Sequence, residues 1–475
     1  MSDREIGRRL RRFGVSLSIA SILWTGAVQA MSLGDALVSA YNHSGLLDQN
    51  RALLRAADED VAITLAQLRP IINWSGDLTR QFGDARSSNT FGRTVNTEQT
   101  TTSIGITAAL QLYDGGADRV RVEGTKETVL ATRARLLNVE QAVLLSAAVA
   151  YFNVIRRQEF VTLSQNNLRL LMEEFRAAND RFEVGEVTRT DVALAEAAVA
   201  QARSNLAGAQ RDLVQAQAEF TNVVGRKPGR LQGLPRLPRP QTDVKTAQAV
   251  AVRTHPEIVQ AQHEVAAADL VARATGLDMY PTVTLNGFLG VNAEFGNDNK
   301  SETGRVSVEV TGPIYRGGGL YAAERRAIAS RDQARGNLHT VRHDVAQDVV
   351  DAISNLQAAR ASLAASERQI RAARVAFQGV REEATLGART TLDVLDAEQN
   401  LLDAETNRIS AQADQYIAAY QVLESMGLLT AERLRLPVQV YDPAAYYNLV
   451  KDAPSRVSKQ GRALDRVLQS LKPDD

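Results

Sequence analysis

The sequence predicts a mainly α protein with a β-barrel part, in which long antiparallel coiled-coil helical hairpins carry four strands per chain. Three observations lead there. Two halves of the chain match at a constant spacing of 202 residues. Each half contains a proline-free helical stretch near 65 residues, roughly 100 Å if straight, far longer than a globular domain holds. In each half the hydrophobic period also changes in the same order, from helical to alternating and back.

The chain opens on a secretory signal. Arg4, Arg8, Arg9, Arg11 and Arg12 form a basic start, Phe13 to Val28 is mostly apolar, and Val28-Gln29-Ala30 supplies small residues for cleavage after Ala30. The 475 residues carry 55 Lys plus Arg against 55 Asp plus Glu. The leader holds five Arg against Asp3 and Glu5, which leaves a mature chain with a net charge of about −3. Such a balance offers no electrostatic footprint for nucleic acid. The absence of Cys excludes disulfides, thiolate metal sites, a cysteine nucleophile and an acylated N-terminal cysteine. After Ala30 no apolar run approaches the length of a spanning helix, the best being Val143 to Phe152.

The repeat is carried by two matched motifs. Leu112-Tyr113-Asp114-Gly115-Gly116 aligns with Ile314-Tyr315-Arg316-Gly317-Gly318, and Val184-Gly185-Glu186-Val187-Thr188-Arg189-Thr190-Asp191-Val192 with Leu386-Gly387-Ala388-Arg389-Thr390-Thr391-Leu392-Asp393-Val394. Proline is absent from Ile71 to Lys227 and from Ile314 to Leu436, and Pro228, Pro235, Pro238 and Pro240 cluster between the halves. The division expected is therefore repeat one over 31–227, a Pro-rich linker over 228–241, repeat two over 242–429, and a tail over 430–475 that matches neither.

Within the repeats, Leu33 to Leu68 and Ala247 to Leu277 are helical in composition. Alternating segments come next: Ile72, Trp74 and Leu78 against Asn73, Ser75 and Asp77, then Ile104 to Leu112, and in repeat two Val283 to Val291 and Val306 to Val310. The polar stretches Gln81 to Thr100 and Asn292 to Gly304 are expected as loops joining each strand pair. Helical pattern returns over Ala117 to Phe182 and Leu320 to Ala384, breaks at Gly185 and Gly387, and resumes to about Val224 and Gly427. These long and short helices are expected to pair as antiparallel coiled hairpins.

Four strands cannot close a barrel, so a membrane-spanning sheet of this size must be completed by other copies of the chain. Two copies give eight strands and a lumen filled by side chains, whereas three or more leave a channel. The competing reading is an all-helical rod with two surface hairpins.

In the duplicated order of elements, the Tyr-Asp-Gly-Gly and Tyr-Arg-Gly-Gly-Gly strand exits and both helix turns, the chain resembles the TolC-type outer-membrane efflux and secretion channels of Gram-negative bacteria. The resemblance implies a homotrimer with a twelve-stranded barrel in outer-membrane lipid and an α-helical tunnel through the periplasm. It also implies a closed periplasmic tip, opened by a periplasmic adaptor protein and an inner-membrane pump or secretion ATPase. The positions matching Arg389, Thr190, Asp191, Asp393 and Asp396 would lie at that tip, where links between protomers hold it shut and two acidic rings line the constriction. A family tyrosine that joins these links falls on Ala384 here, so that link should be absent or replaced.

The residues themselves keep a plainer alternative open. Thr188 with Asp191, and Thr390 with Asp393, each fit a capping box, in which an acid three residues past the N-cap accepts from backbone N–H groups. Asp396 lies past the capping positions and its repeat-one counterpart is Leu194, so capping cannot explain it. Arg389 likewise stands opposite Val187. Enzymatic readings are weaker: His339 and His343 share a helix face without the Glu or third ligand of a zinc site, and Gly317-Gly318-Gly319 lacks the Lys of a phosphate loop. No catalytic constellation and no cofactor are expected. The alternative in a different class is a periplasmic coiled-coil adaptor or scaffold bridging two membranes, which would need no lipid-facing strands.

Overall fold

A computed structural model describes residues 30–86, 94–296 and 300–470. The expected leader, apart from Ala30, lies outside the described residues. The first half runs α1 (Leu33–His43), α2 (Gly45–Ala66), β1 (Ile71–Arg86), β2 (Thr94–Tyr113), α3 (Ala117–Glu183) and α4 (Arg189–Val224). The second runs α5 (Val244–Thr254), α6 (Pro256–Leu277), β3 (Thr282–Glu294), β4 (Lys300–Thr311), α7 (Gly319–Thr385) and α8 (Thr391–Ser425). The tail adds α9 (Pro443–Val450) and α10 (Lys459–Ser470).

Helices α3 and α7 each have 67 residues, about 100 Å end to end. Each begins just after a glycine whose positive φ turns the chain out of the strand, Gly116 at 88° and Gly318 at 79°. At α3 the Asp114 carboxylate also accepts from the N–H groups of Gly116 (2.8 Å) and Asp118 (2.7 Å). Arg316 stands at the matching position and cannot do this for α7.

Three expectations differ from the structure. The segment Leu33 to Leu68 is two helices, because Ser44 takes an extended conformation and its hydroxyl caps α2 by accepting from the Leu47 N–H (3.3 Å). Ala247 to Leu277 divides at His255, since Pro256 lacks an N–H and disfavours helical geometry in the residue before it. Within the stretch Gln81 to Thr100, residues 81–86 and 94–100 are strand and 87–93 lie outside the described residues: β1 and β2 stay paired from Ile71↔Ala109 out to Arg86↔Thr94, because a ladder of backbone hydrogen bonds continues whether its side chains are polar or apolar. In the same way β3 reaches Glu294 and β4 starts at Lys300.

The four strands form one antiparallel sheet in the order β1-β2-β3-β4, with β2 and β3 paired across the two halves. The register brings Trp74 beside Ile106, Ile106 beside Leu289, and Leu285 beside Val308. One face therefore carries exposed Ile72, Trp74, Leu78, Phe82, Leu289, Val306, Val308 and Val310. The other carries Asn73, Asp77, Ser103, Thr107, Asn286 and Glu309, with Asp77 hydrogen-bonded to Ser103 across the strands. An apolar face exposed over four strands is what a lipid-facing sheet requires.

Below the sheet the helices repeat its order. Helix α2 packs on α3, α3 on α6 and α6 on α7, while further on the hairpins α3–α4 and α7–α8 meet where α3 contacts α8. The main core lies at the waist, where Tyr151, Phe152, Leu47, Leu54 and Phe220 are fully buried and Phe152 packs against Tyr416 and Tyr420. A second cluster joins Ile258 to Val349, Ile353 and Leu356. Among the described residues, α3 is the one helix long and apolar enough to cross a membrane, but just over half of its apolar window is buried, as a core segment is.

Candidate functional site

At the ends of the long helices furthest from the sheet, both turns are built alike. The chain leaves α3 through Gly185 and α7 through Gly387, each at φ 77°. In each turn a backbone N–H reaches back to close the helix end, Glu186 to the Arg181 carbonyl and Ala388 to the Glu383 carbonyl, both at 2.9 Å. The next helix then starts on a complete capping box. Asp191 accepts from the N–H and hydroxyl of Thr188 at 2.9 and 2.7 Å, and Asp393 from those of Thr390 at 3.0 and 2.8 Å.

Capping thus occupies both Asp191 and Asp393. Their carboxyls lie below the usual range, Asp191 first through the Thr188 hydroxyl and Asp393 first through the Thr390 N–H. Asp396 takes no part in the cap and is exposed one turn further along α8. Arg389 donates to the Glu383 carboxylate at 2.8 Å within its own turn. This position pairs charge in the second repeat only, because the counterparts of Arg389 and Glu383 are Val187 and Arg181.

A cavity of about 470 Å³ lies between the turns, lined by Arg181, Thr188 and Asp191 on one side and Ala384, Arg389 and Thr391 on the other. Asp191 and Arg389 thus line one cavity from different hairpins, and the Thr391 hydroxyl adds a weaker hold on Asp191 across it. Thr190, Asp393 and Asp396 do not line this cavity.

The helical hairpins, the sheet and the paired turns are those of a known family. The model for the outer membrane efflux protein family matches residues 36–226 and 249–428. The chain belongs to this family. The chain is 35% identical to the outer membrane efflux protein BepC of Brucella suis, over 91% of its own length and 93% of the relative. It is 25% identical to the alkaline protease secretion protein AprF of Pseudomonas aeruginosa, over 79% of this chain and 80% of that one. Among solved structures, the Campylobacter jejuni CmeC outer membrane channel superposes with a TM-score of 0.75 over 95% of this chain and 98% of its own, at 15% identity. The outer membrane protein VceC of Vibrio cholerae gives 0.72 over 83% and 96%, at 20% identity. The chain is accordingly a channel protein of the outer membrane.

Two side-chain contacts near the turns escape a reading of the sequence. Beside Ala384, in a smaller cavity of about 110 Å³, Arg381 of α7 pairs with Glu174 of α3 at 2.9 Å. Two turns into α8, Glu398 is 4% exposed between the hairpins, accepts from Asn167 at 2.8 Å, and leaves its second oxygen without a hydrogen bond. Burial, and next the nearby Glu174, pushes the Glu398 carboxyl up to about 8. Self-comparison could not find these contacts, since the counterparts of Glu174, Arg381 and Glu398 are Ala376, Asn179 and exposed Glu196. The available signal was a Glu on the same stripe of α8 as buried Val394.

Proposed function

We propose that the protein is a passive homotrimeric exit duct, gated at the paired turns, without a catalytic step of its own. Three copies pair the free edges of β1 and β4 into a twelve-stranded barrel and bundle the long helices into a tunnel through the periplasm. A periplasmic adaptor and an inner-membrane pump or secretion ATPase then open the tip and choose the cargo.

The gate residues are Asp393, Asp396, Arg389, Thr190 and Asp191. The observation that carries this reading is Asp396, an exposed acid that caps nothing, three residues beyond Asp393 on one helical face. Threefold symmetry turns the two acids into two carboxylate rings, which favour cations and hold multivalent ones at the opening. Arg389 and Asp191 line the same cavity from different hairpins and, with opposite charges, suit a link between them. The Glu174–Arg381 pair takes the place of the link lost at Ala384.

Planar-bilayer recording of the trimer tests the assignment. Asp393→Ala with Asp396→Ala should lower cation preference and relieve block by multivalent cations. If the two acids are only a cap and a solvated charge, a stable trimer will keep both properties. A scaffold bridging two membranes fits less well, because it leaves the apolar face of the sheet without a role.

A further inference from the structure

The C-terminal tail runs along α2 toward the sheet. Arg51 lies over the Tyr441 ring at 5.8 Å, the Tyr446 hydroxyl donates to Glu59 at 2.7 Å, and Arg69 donates to the Ala453 carbonyl at 3.0 Å. These contacts climb α2 in sequence order and end at Arg69, two residues before β1 begins. Arg133 of α3 holds the same segment by donating to the Pro443 carbonyl at 3.3 Å and lying over the Tyr447 ring at 5.2 Å. The tail is thus delivered to the level where the helices give way to the apolar face of the sheet, on which Ile72 and Trp74 are the first large residues.

Beyond Ala453 the chain has the composition of a membrane-surface helix. Along α10, at 100° per residue, Ala463, Leu464, Val467 and Leu468 fall on one face, while Lys459, Arg462 and Arg466 fall on the opposite one. Helix α10 packs on α9, which leaves Ala463, Leu464 and Val467 half-buried, while Leu468 is 42% exposed and Val457 before the helix 83% exposed. From Arg456 to Ser470 the segment holds Arg456, Lys459, Arg462 and Arg466 against Asp465, a net charge of +3, on a mature chain that is slightly acidic. A short helix that combines a basic face with an apolar one binds where anionic headgroups meet acyl chains.

We propose that α10 docks on the periplasm-facing leaflet of the outer membrane, its basic face on anionic phospholipid headgroups and the exposed Val457 and Leu468 in the headgroup boundary. The place argues for lipid over protein: the segment is continuous with the membrane-spanning sheet through Arg69 and Ala453, and its charge complements an anionic leaflet. The docked helix forms a collar at the barrel base, outside the barrel wall. It fixes how deep the sheet sits without touching the conduit. The inference rests on the reading that the sheet spans the outer membrane, and the test separates the two.

Trp24 lies in the leader, so the mature chain keeps Trp74 as its single tryptophan, 81% exposed on the apolar face. The full-length trimer is placed in nanodiscs of phosphatidylglycerol and phosphatidylethanolamine with brominated acyl chains, which quench tryptophan on contact. Trp74 of the unaltered chain reports the sheet, and a Trp74→Phe, Leu468→Trp chain reports α10. The expected result is quenching of both. The α10 signal should be lost when Arg462→Glu and Arg466→Glu are added, or when phosphatidylcholine replaces the anionic lipid, with trimer and conductance unchanged. Quenching at Trp74 without quenching in the Leu468→Trp chain overturns the α10 inference and leaves the sheet in the membrane. So does a shielded, blue-shifted but unquenched signal, which would mean that protein covers the helix. Equal quenching in phosphatidylcholine overturns the headgroup assignment. Loss of quenching at Trp74 itself overturns the membrane reading, and the α10 inference with it.

Discussion

Helices α3 and α7 have the same length and the same place in their repeats, yet they are buried very differently. Buried residues run along α3 from Ala117 to Ile155 and recur at Leu171 and Ala178, whereas α7 buries residues only from Val345 to Leu356 and at Ser366, Ile370 and Phe377. Helix α3 has its own chain on both sides, with α2 and α4 on one and α6 and α8 on the other. Helix α7 has α5, α6 and α8 on one side only, and beside the sheet it continues from β4, which is itself an open edge. Ile314, Tyr315, Tyr321 and Val375 are left exposed along that edge. The two long helices are therefore not interchangeable: α3 is interior to the protomer, and α7 lies at an edge that a second copy must cover, as the free β1 edge of the sheet must also be covered.

This contrast can be broken by substitution. The largest effect is expected in the core around α3. Phe152→Ala removes a fully buried ring and should cost about 3–5 kcal/mol, read as a lower midpoint in denaturant unfolding. A midpoint like that of the unaltered protein would mean the waist core does not hold the protomer together.

On α7 the matching experiment is Val375→Asp, where the side chain is 70% exposed in the protomer. The protomer should fold, while the charge at the subunit contact lowers the yield of cross-linked trimer. Undiminished trimer would show that the α7 edge is not the contact.

A third prediction concerns the seam between the halves. The Glu398 carboxyl is raised to about 8 where α8 packs on α3, above its value once hydrated. Protonation therefore favours the packed seam: this contribution is fully present below the ordinary Glu value and is lost as pH rises through about 8. The facing groups are Glu174 and Asn167 of α3 and Arg381 of α7, of which Glu174 opposes the charged form while Arg381 and, less strongly, Asn167 favour it. Hydrogen exchange of α8 amides, corrected for intrinsic rates, should show protection falling between pH 6 and about 8 in the unaltered protein and steady protection in Glu398→Gln. Equal pH profiles would remove Glu398 from the seam. Exposed Glu196, its counterpart on α4, gives the control, and Glu196→Gln should leave the profile unaltered.

The smallest effect is expected where the halves are most alike. Thr188→Ala and Thr390→Ala each remove a capping hydroxyl and should each cost about 1 kcal/mol at the start of α4 or α8. Unequal losses in amide protection over the two first turns would show that the turns differ in more than Arg389 and Glu383.

Much of this was legible in the residues. Period, proline spacing and the two matched motifs located the long helices, the strand pairs and both turns, because each depends on neighbours within a few positions along the chain. The capping roles of Asp191 and Asp393 were legible for the same reason, a side chain bonding to backbone three residues away. Strand ends were misread at Gln81 to Thr100, where pairing continues through polar residues and composition carries no sign of it.

By itself, then, the sequence determined the local elements, the duplication, the open sheet and the capped turns, all set by short-range geometry and hydrophobic period. Only the tertiary structure decided which elements became neighbours. It paired β2 with β3, put α3 inside and α7 at the edge, buried Glu398 against Asn167, joined Arg381 to Glu174, and led the tail up α2 to Arg69. The physical reason is that these contacts join residues tens to hundreds of positions apart. Whether a charge such as Glu398 or Glu196 is solvated or buried depends on what packs across from it, which no spacing along one helix records.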